Sequence, residues 1–373
     1  MKSIRPFTID DIEQVAALHR RVFGAGDNIS QPMTKAELDD YADYFERIFL
    51  GNPWYSEMTP SLVSLGPTGR VAGFLGILPR RMRLPGRTIN VAISSQFIVD
   101  PDNKALGAGL GLLKSFLTGP QDLSLTDEAN DISRRIWEGL GGISVPGYSI
   151  HWTRVLRPGG RALSLAAQFA GKGGVATSVL KFAFRPVSNL VDYVAARALP
   201  KRFAQPEPGV ATEIMTTRML LDCLAEFSSA RALWPEYDQE SLEWLLATIE
   251  IRSKSGPLRM VEVRGANGGR LGWYVYIPLP EGESSVLQLM ARKSSIGAVL
   301  DHLLYDAWSN GSTAVTGRFD PQFIGAFSDK RCSLRCGYPW FLVNSHDREL
   351  LRTIADGDAL ISRLEGEWCL HFR

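Results

Sequence analysis

Apolar residues recur along this chain at two spacings, and the alternation between them predicts its elements. After a short strand at 4–6, Thr8 or Asp10 caps a helix whose apolar positions Ile12, Val15, Leu18 and Val22 follow a helical period. A polar, aromatic stretch runs to Pro60. The runs 61–65 and 71–78, joined by Gly-Pro-Thr-Gly, predict a β-hairpin, and 88–99 a further strand. A glycine-rich turn then opens into a helix over 106–117, followed by a short strand at 122–126 and a helix over 131–140. From Pro206 the order begins again: helices over 219–227 and 239–250, a hairpin at 258–264 and 270–277, a strand at 285–292 and a helix over 295–308. Strand and helix continue to alternate to a last predicted strand at 366–372.

The turn after 88–99 carries the clearest chemistry. Pro101 ends the strand, and the first N–H groups of the next helix lack intrahelical partners and form the positive end of its dipole. Gly107, Gly109 and Gly111 let an anion approach the backbone. The order Gly107-Ala-Gly109-Leu-Gly111 lacks the third glycine step of a dinucleotide fingerprint, and no Gly-Lys-Ser/Thr of a nucleoside-triphosphate loop is present. What stands is Val99-x-Pro101-x-x-Lys104-x-x-Gly107-x-Gly109, which resembles the pyrophosphate-binding motif of the GNAT superfamily of acyl-CoA-dependent N-acyltransferases, with Lys104 in place of the usual Arg or Gln. A second motif of that family is matched in register by Asn130-x-x-Ser133-x-x-x-Trp137-x-x-x-Gly141. Trp137 stands where the family often has a tyrosine that protonates the departing thiolate. An indole N–H does not ionise usefully, so Trp137 is expected to pack beside the pantetheine arm instead.

The resemblance covers residues 1–157 and implies an α/β (α+β) chain of two GNAT-like domains, each a mixed, mostly antiparallel twisted sheet flanked by helices. The domains are expected at 1–157, with the acyl-CoA site, and at 206–373, a degenerate copy whose corresponding turn, from Arg292 to Ala298, lacks the motif. It further implies that Phe97, Ile98 and Val99 offer backbone groups to pantetheine. Lys104, Ala105, Leu106, Gly107, Ala108 and Gly109 are expected to hold the pyrophosphate, with Asn130, Ser133 and Trp137 along the arm. The general base is not fixed by the motif: Asp127 and Glu128 lie just past the strand bordering the acceptor, and Tyr148 and His151 follow the signature helix. Asp127, Tyr148 and His151 are the catalytic candidates, His151 because it titrates in a useful range. Ser94 and Ser95 could hydrogen-bond an acceptor.

Composition narrows the partners. The chain has 373 residues with 41 Lys+Arg against 40 Asp+Glu, a balance that argues against a general nucleic-acid binder. Its 4 cysteines, at 223, 332, 336 and 369, are too few for a disulfide framework at this length and fit a reducing compartment. Cys332, Cys336 and His346 are loosely spaced for a metal, so core thiols and no metal are expected. No signal peptide or long apolar run is evident, and a cytoplasmic location follows. The segment 158–205 is strongly basic, with Asp192 its single acid, and interleaves large apolar residues. It reads as an amphipathic helical connector packed on both domains, the alternative being a peripheral dock on the inner membrane face.

The expected activity is transfer of an acyl group, expected to be acetyl, from acetyl-CoA or another acyl-CoA to a small-molecule amine. The Glu365-Gly-Glu-Trp368 segment resembles tandem acyltransferases of bacterial surface polysaccharide, which suggests an amino sugar or sugar nucleotide. The alternatives are acyl-CoA binding without turnover and aminoacyl transfer of the tandem GNAT-like type.

Overall fold

The computed structural model describes residues 3–24, 32–101, 106–169, 175–253 and 256–372. The first half runs β1 (Ser3–Pro6), α1 (Ile12–Phe23), α2 (Lys35–Phe45), β2 (Leu62–Leu65), β3 (Val71–Leu84), β4 (Arg87–Val99) and α3 (Leu106–Leu117). It continues with β5 (Leu123–Ala129), α4 (Asp131–Gly139), β6 (Ile143–Ser144) and β7 (Ile150–Val155). A helical hairpin of α5 (Pro158–Phe169) and α6 (Val175–Ala198), with a short α7 (Pro200–Phe203), leads to the second half. There the order is β8 (Ala211–Ile214), α8 (Thr217–Glu226), β9 (Trp234–Pro235), α9 (Gln239–Arg252), β10 (Arg259–Arg264) and β11 (Arg270–Ile277). Then come β12 (Glu283–Ala291), α10 (Ile296–Ser309), β13 (Ala314–Arg318), α11 (Ile324–Asp329), β14 (Ser333–Cys336), β15 (Trp340–Asn344) and α12 (Arg348–Ala355).

Among the described residues two mixed sheets form. One has the order β1-β2-β3-β4-β5-β15-β6, with β9 pairing β3 off that path, and the other β14-β7-β13-β12-β11-β10-β8. The expected pair of mixed, mostly antiparallel sheets with flanking helices is therefore present. The halves exchange strands. β7, which precedes residue 157, pairs with β13 and β14 in the second sheet, while β15 pairs with β5 and β6 in the first. One apolar core accordingly runs through both halves, from Phe7 and Val15 to Leu364 and Leu370. A smaller cluster of Leu112, Leu113, Phe116 and Trp137 fills the space under α3.

Local sequence explains the elements that frame the site. The first ten residues of β3 are buried, consistent with an apolar run covered on both faces rather than an alternating one. The Asn130 side chain accepts from the Ser133 N–H at 2.8 Å and so starts α4. On α1 the buried face holds Ile12, Val15, Leu18 and His19, whereas Val22, expected there, is exposed. Residues 366–372 form no strand. Glu367 fastens its N–H to Asp127, and a single helical turn at Trp368–Leu370 follows.

Candidate active site

β4 and β5 run parallel and pair only at Val91–Leu123, Ala92–Ser124 and Ile93–Leu125. Beyond Ile93 the strands separate, leaving one edge of β4 unpaired by β5 and opening a cavity of about 340 Å³. An irregularity sits on each strand at this point. On β4, Gly76 faces Ser95 and Phe74 faces Ile98, so Gln96 and Phe97 together oppose one residue of β3. Gln96 takes a positive φ of 50° to complete this bulge. Gly76 is required opposite it, because a Cβ there would lie 2.3 Å from the Phe49 ring and 2.9 Å from the Ser95 carbonyl. On β5, Thr126 faces Leu342 and Ala129 faces Trp340, so Asp127 and Glu128 form the matching extra step.

The side chain of Gln96 is held firmly. Its amide donates to the Tyr44 hydroxyl at 3.0 Å, and its carbonyl lies 2.9 Å from His19 Nε2. Burial lowers the His19 pKa to about 4, so the ring is neutral and donates from Nε2, while Nδ1 accepts from the Tyr41 hydroxyl at 3.2 Å. The bulge is thus fixed from behind by α1 and α2.

The opposite wall is acidic and comes partly from the C-terminal segment. Thr126 donates to Glu367 Oε1 at 2.7 Å, and Glu367 Oε2 lies 3.2 Å from His371 Nε2. Burial opposes charge on His371, but Glu367, Glu128 and Asp127 together raise its pKa. Phe372 stacks on Tyr41 at 4.2 Å and closes that end. Glu128 lines the cavity with Oε1 buried and, among the described residues, without a hydrogen-bond partner. Desolvation, and then the neighbouring charge of Asp127, push its pKa up to about 7. Tyr338, also from the second half, completes the lining.

Of the expected cofactor contacts, Phe97, Asn130 and Ser133 line this cavity. Val99 is half-buried at the strand end, and Ile98 faces the core. Gly107, Ala108 and Gly109 form the first turn of α3, which Leu106 begins. Gly109 lies so close to the strand that a Cβ would meet Val99 Cγ2 at 3.0 Å and the Phe97 ring at 3.2 Å. Lys104 and Ala105 lie outside the described residues. Trp137 is not beside the cavity: it is buried under α3, 5.7 Å from Phe116 ring to ring, because the apolar face of α4 turns inward.

None of the three catalytic candidates lines the cavity. Asp127 belongs to β5 itself, not to a loop beyond it. It is fully buried, accepts from Arg318 at 2.7 Å and from the Glu367 N–H at 2.7 Å, and is committed to structure. Tyr148 donates to the Ala359 carbonyl at 2.6 Å, and burial raises its pKa. His151 sits on β7 within the second sheet, where burial and then Arg318 and Arg363 depress its pKa to about 3. Ser94 and Ser95 do line the cavity. The contributions of Gln96, His19, Tyr338, Glu367 and His371 were not read from the sequence. The Glu365-Gly-Glu-Trp368 pattern was the available signal: Glu365 takes the Gln288 amide at 2.7 Å, and a Cβ on Gly366 would strike Asp127 Oδ2 at 2.0 Å.

The second half repeats the arrangement with its gap closed. β12 and β13 pair in parallel from Glu283–Ala314 to Val286–Gly317, and then separate. Here the chain itself enters. Leu364 donates its N–H to the Leu287 carbonyl at 3.1 Å, and Leu360 to Ser362 line a residual space of only about 20 Å³. Among the described residues no group of metal-type ligands forms; Cys332 is half-buried and Cys336 exposed rather than a core thiol.

Two splayed parallel strand pairs, each followed by a helix, define the GNAT fold, and solved structures agree. A GCN5-related N-acetyltransferase from Anabaena variabilis is similar with a TM-score of 0.57 at 11% identity, over 93% of this chain and 73% of that one. One from Kribbella flavida gives 0.53 at 16% identity, over 92% and 70%. Saccharomyces cerevisiae N-myristoyltransferase, solved with bound myristoyl-CoA, gives 0.50 at 11% identity, over 92% and 78%. No family model and no curated protein matches the sequence.

Proposed function

We propose that the protein is an N-acyltransferase that takes an acyl group from acyl-CoA in the gap between β4 and β5 and passes it to the amine of a small molecule. The observation that carries this reading is the open gap itself, bulged on both strands and lined by the Glu128 carboxyl group, whose buried Oε1 has no partner among the described residues and whose pKa is pushed up to about 7. The unpaired edge of β4 offers backbone groups to the pantetheine amides, and the α3 N-terminus with Gly107 and Gly109 suits the pyrophosphate.

Glu128 takes the proton that an incoming ammonium must lose. The neutral amine nitrogen then attacks the thioester carbonyl carbon. The C–N bond forms, and charge on the carbonyl oxygen is stabilised by a backbone N–H freed at the β4 bulge. Collapse breaks the C–S bond, and the CoA thiolate takes a proton from Tyr338, a role the buried Trp137 cannot fill. Tyr338 is restored by the second proton that the amine nitrogen sheds as it becomes an amide. The products are the amide and free CoA thiol.

The lining of Ser94, Ser95, Gln96, Thr126, Glu128 and Glu367 favours a hydroxyl-rich amine, such as an amino sugar or its nucleotide-linked form, and acetyl as the first acyl group to try. Thiol release measured with DTNB, over a panel of amino-sugar nucleotides, polyamines and amino acids, tests the reading. Acceptor-dependent release supports it. CoA binding with no release on any acceptor assigns the chain to acyl-CoA binding alone.

A further inference from the structure

Helix α6 is built inside out. Its inward residues are small or polar: Ser188 is buried, and Asp192 accepts from the N–H groups of Gly159 at 2.7 Å and Gly160 at 3.1 Å, capping α5. Gly159 is pressed so closely against α6 that a Cβ would meet the Ser188 carbonyl oxygen at 2.3 Å. The large apolar residues face outward instead. Phe182 is 82% exposed and Leu190 62%, with Phe184, Val187, Val191 and Val194 exposed beside them. At 3.6 residues per turn these six cover an arc of about 200° along roughly 18 Å of helix. The expected connector, with its apolar face packed on both domains, is therefore not what forms.

A soluble helix normally buries such a stripe, and a contiguous exposed one marks an interaction surface. We infer that the outer face of α6 docks on an anionic lipid surface. Charge selects this occupant. Asp192 is the only acid between residues 175 and 203, and its carboxylate is spent on α5. At the C-terminal end of the stripe Arg197, Lys201 and Arg202 supply cations, with Arg197 stacked over Tyr193 at 4.5 Å. Two copies pairing through this face would bring cations together with no second acid on α6 to meet them, whereas phospholipid headgroups complement them. The helix lies on the surface rather than crossing it: no helix of the described residues is long and apolar enough to span a bilayer. Arg185 is tied to Glu281 at 2.7 Å and anchors the hairpin to the second half.

Co-sedimentation of the full chain with phosphatidylcholine vesicles, with and without phosphatidylglycerol, tests this. Binding should require the anionic lipid and weaken in high salt. Phe182→Glu with Leu190→Glu should abolish it while the thermal midpoint holds, since neither side chain is buried. Replacing Arg197, Lys201 and Arg202 by Gln should weaken it about a hundredfold, at about fivefold per basic residue. A wild-type chain that stays in the supernatant with anionic vesicles at low salt overturns the inference. So does a dimer in sedimentation velocity that the same double variant dissolves, which would give the face to a second copy.

Discussion

Replacing Glu128 by glutamine should slow the proposed acyl transfer and make the fold more stable, in a way that depends on pH. In the folded chain the pKa of Glu128 is raised from 4.5 to about 7, chiefly by desolvation. Between those values the folded state keeps a proton that the unfolded state has released, so stability falls as pH rises through this window. Above about pH 7 the folded chain holds an ionised, desolvated carboxylate, at a cost of about 3 kcal/mol from ~1.4 kcal/mol per pKa unit. Glutamine never incurs it. Thermal melts should therefore show Glu128→Gln above wild type at alkaline pH, with the two converging toward pH 4.5. Turnover should fall by roughly a hundred- to ten-thousandfold. The wild-type rise of kcat/KM through about pH 7 should vanish in the variant. Equal stability across pH, with the activity profile unchanged, would refute both the desolvation of this carboxyl and its role as base.

Other perturbations separate the site from its supports. His151→Asn should leave the pH profile of turnover in place, because the ring lies in the second sheet and burial and then Arg318 and Arg363 hold its pKa near 3. Gly366→Ala places a methyl group 2.0 Å from a carboxylate that is already ion-paired to Arg318, and denaturant unfolding should show a loss of roughly 2–5 kcal/mol. Leu364→Pro removes the N–H that bonds the Leu287 carbonyl and should destabilise the chain by roughly 1–3 kcal/mol, read by the same unfolding curves.

The end of β4 near Val99 and the start of α3 at its glycines were legible because they are local: a strand stop and a glycine-rich helix start each declare themselves within a few residues. Most of the element order was legible for the same reason, but not α2 inside the polar stretch before Pro60, nor the helical turn that stands in place of a last strand. The strand exchange was not, since nothing in the composition of 150–155 or 340–344 says which sheet each joins. Nor was it legible which carboxyl group faces the cavity. Alternation along a strand places Asp127 and Glu128 on opposite faces, but which face meets the cavity depends on the bulge opposite Phe341 and on Arg318, nearly two hundred residues away. His19 was hidden differently: it occupies a core position of α1 by pairing with Gln96 and Tyr41, outside the apolar series Ile12, Val15, Leu18 and Val22.

Of the two gaps, the first alone should take acyl-CoA. Titration calorimetry of CoA into the wild-type chain and into Gly109→Asp tests it most directly. Wild type should bind one equivalent per chain, and the variant, with a carboxylate at the α3 N-terminus against Val99 and Phe97, should bind none. Two equivalents, or full affinity in Gly109→Asp, would contradict the account.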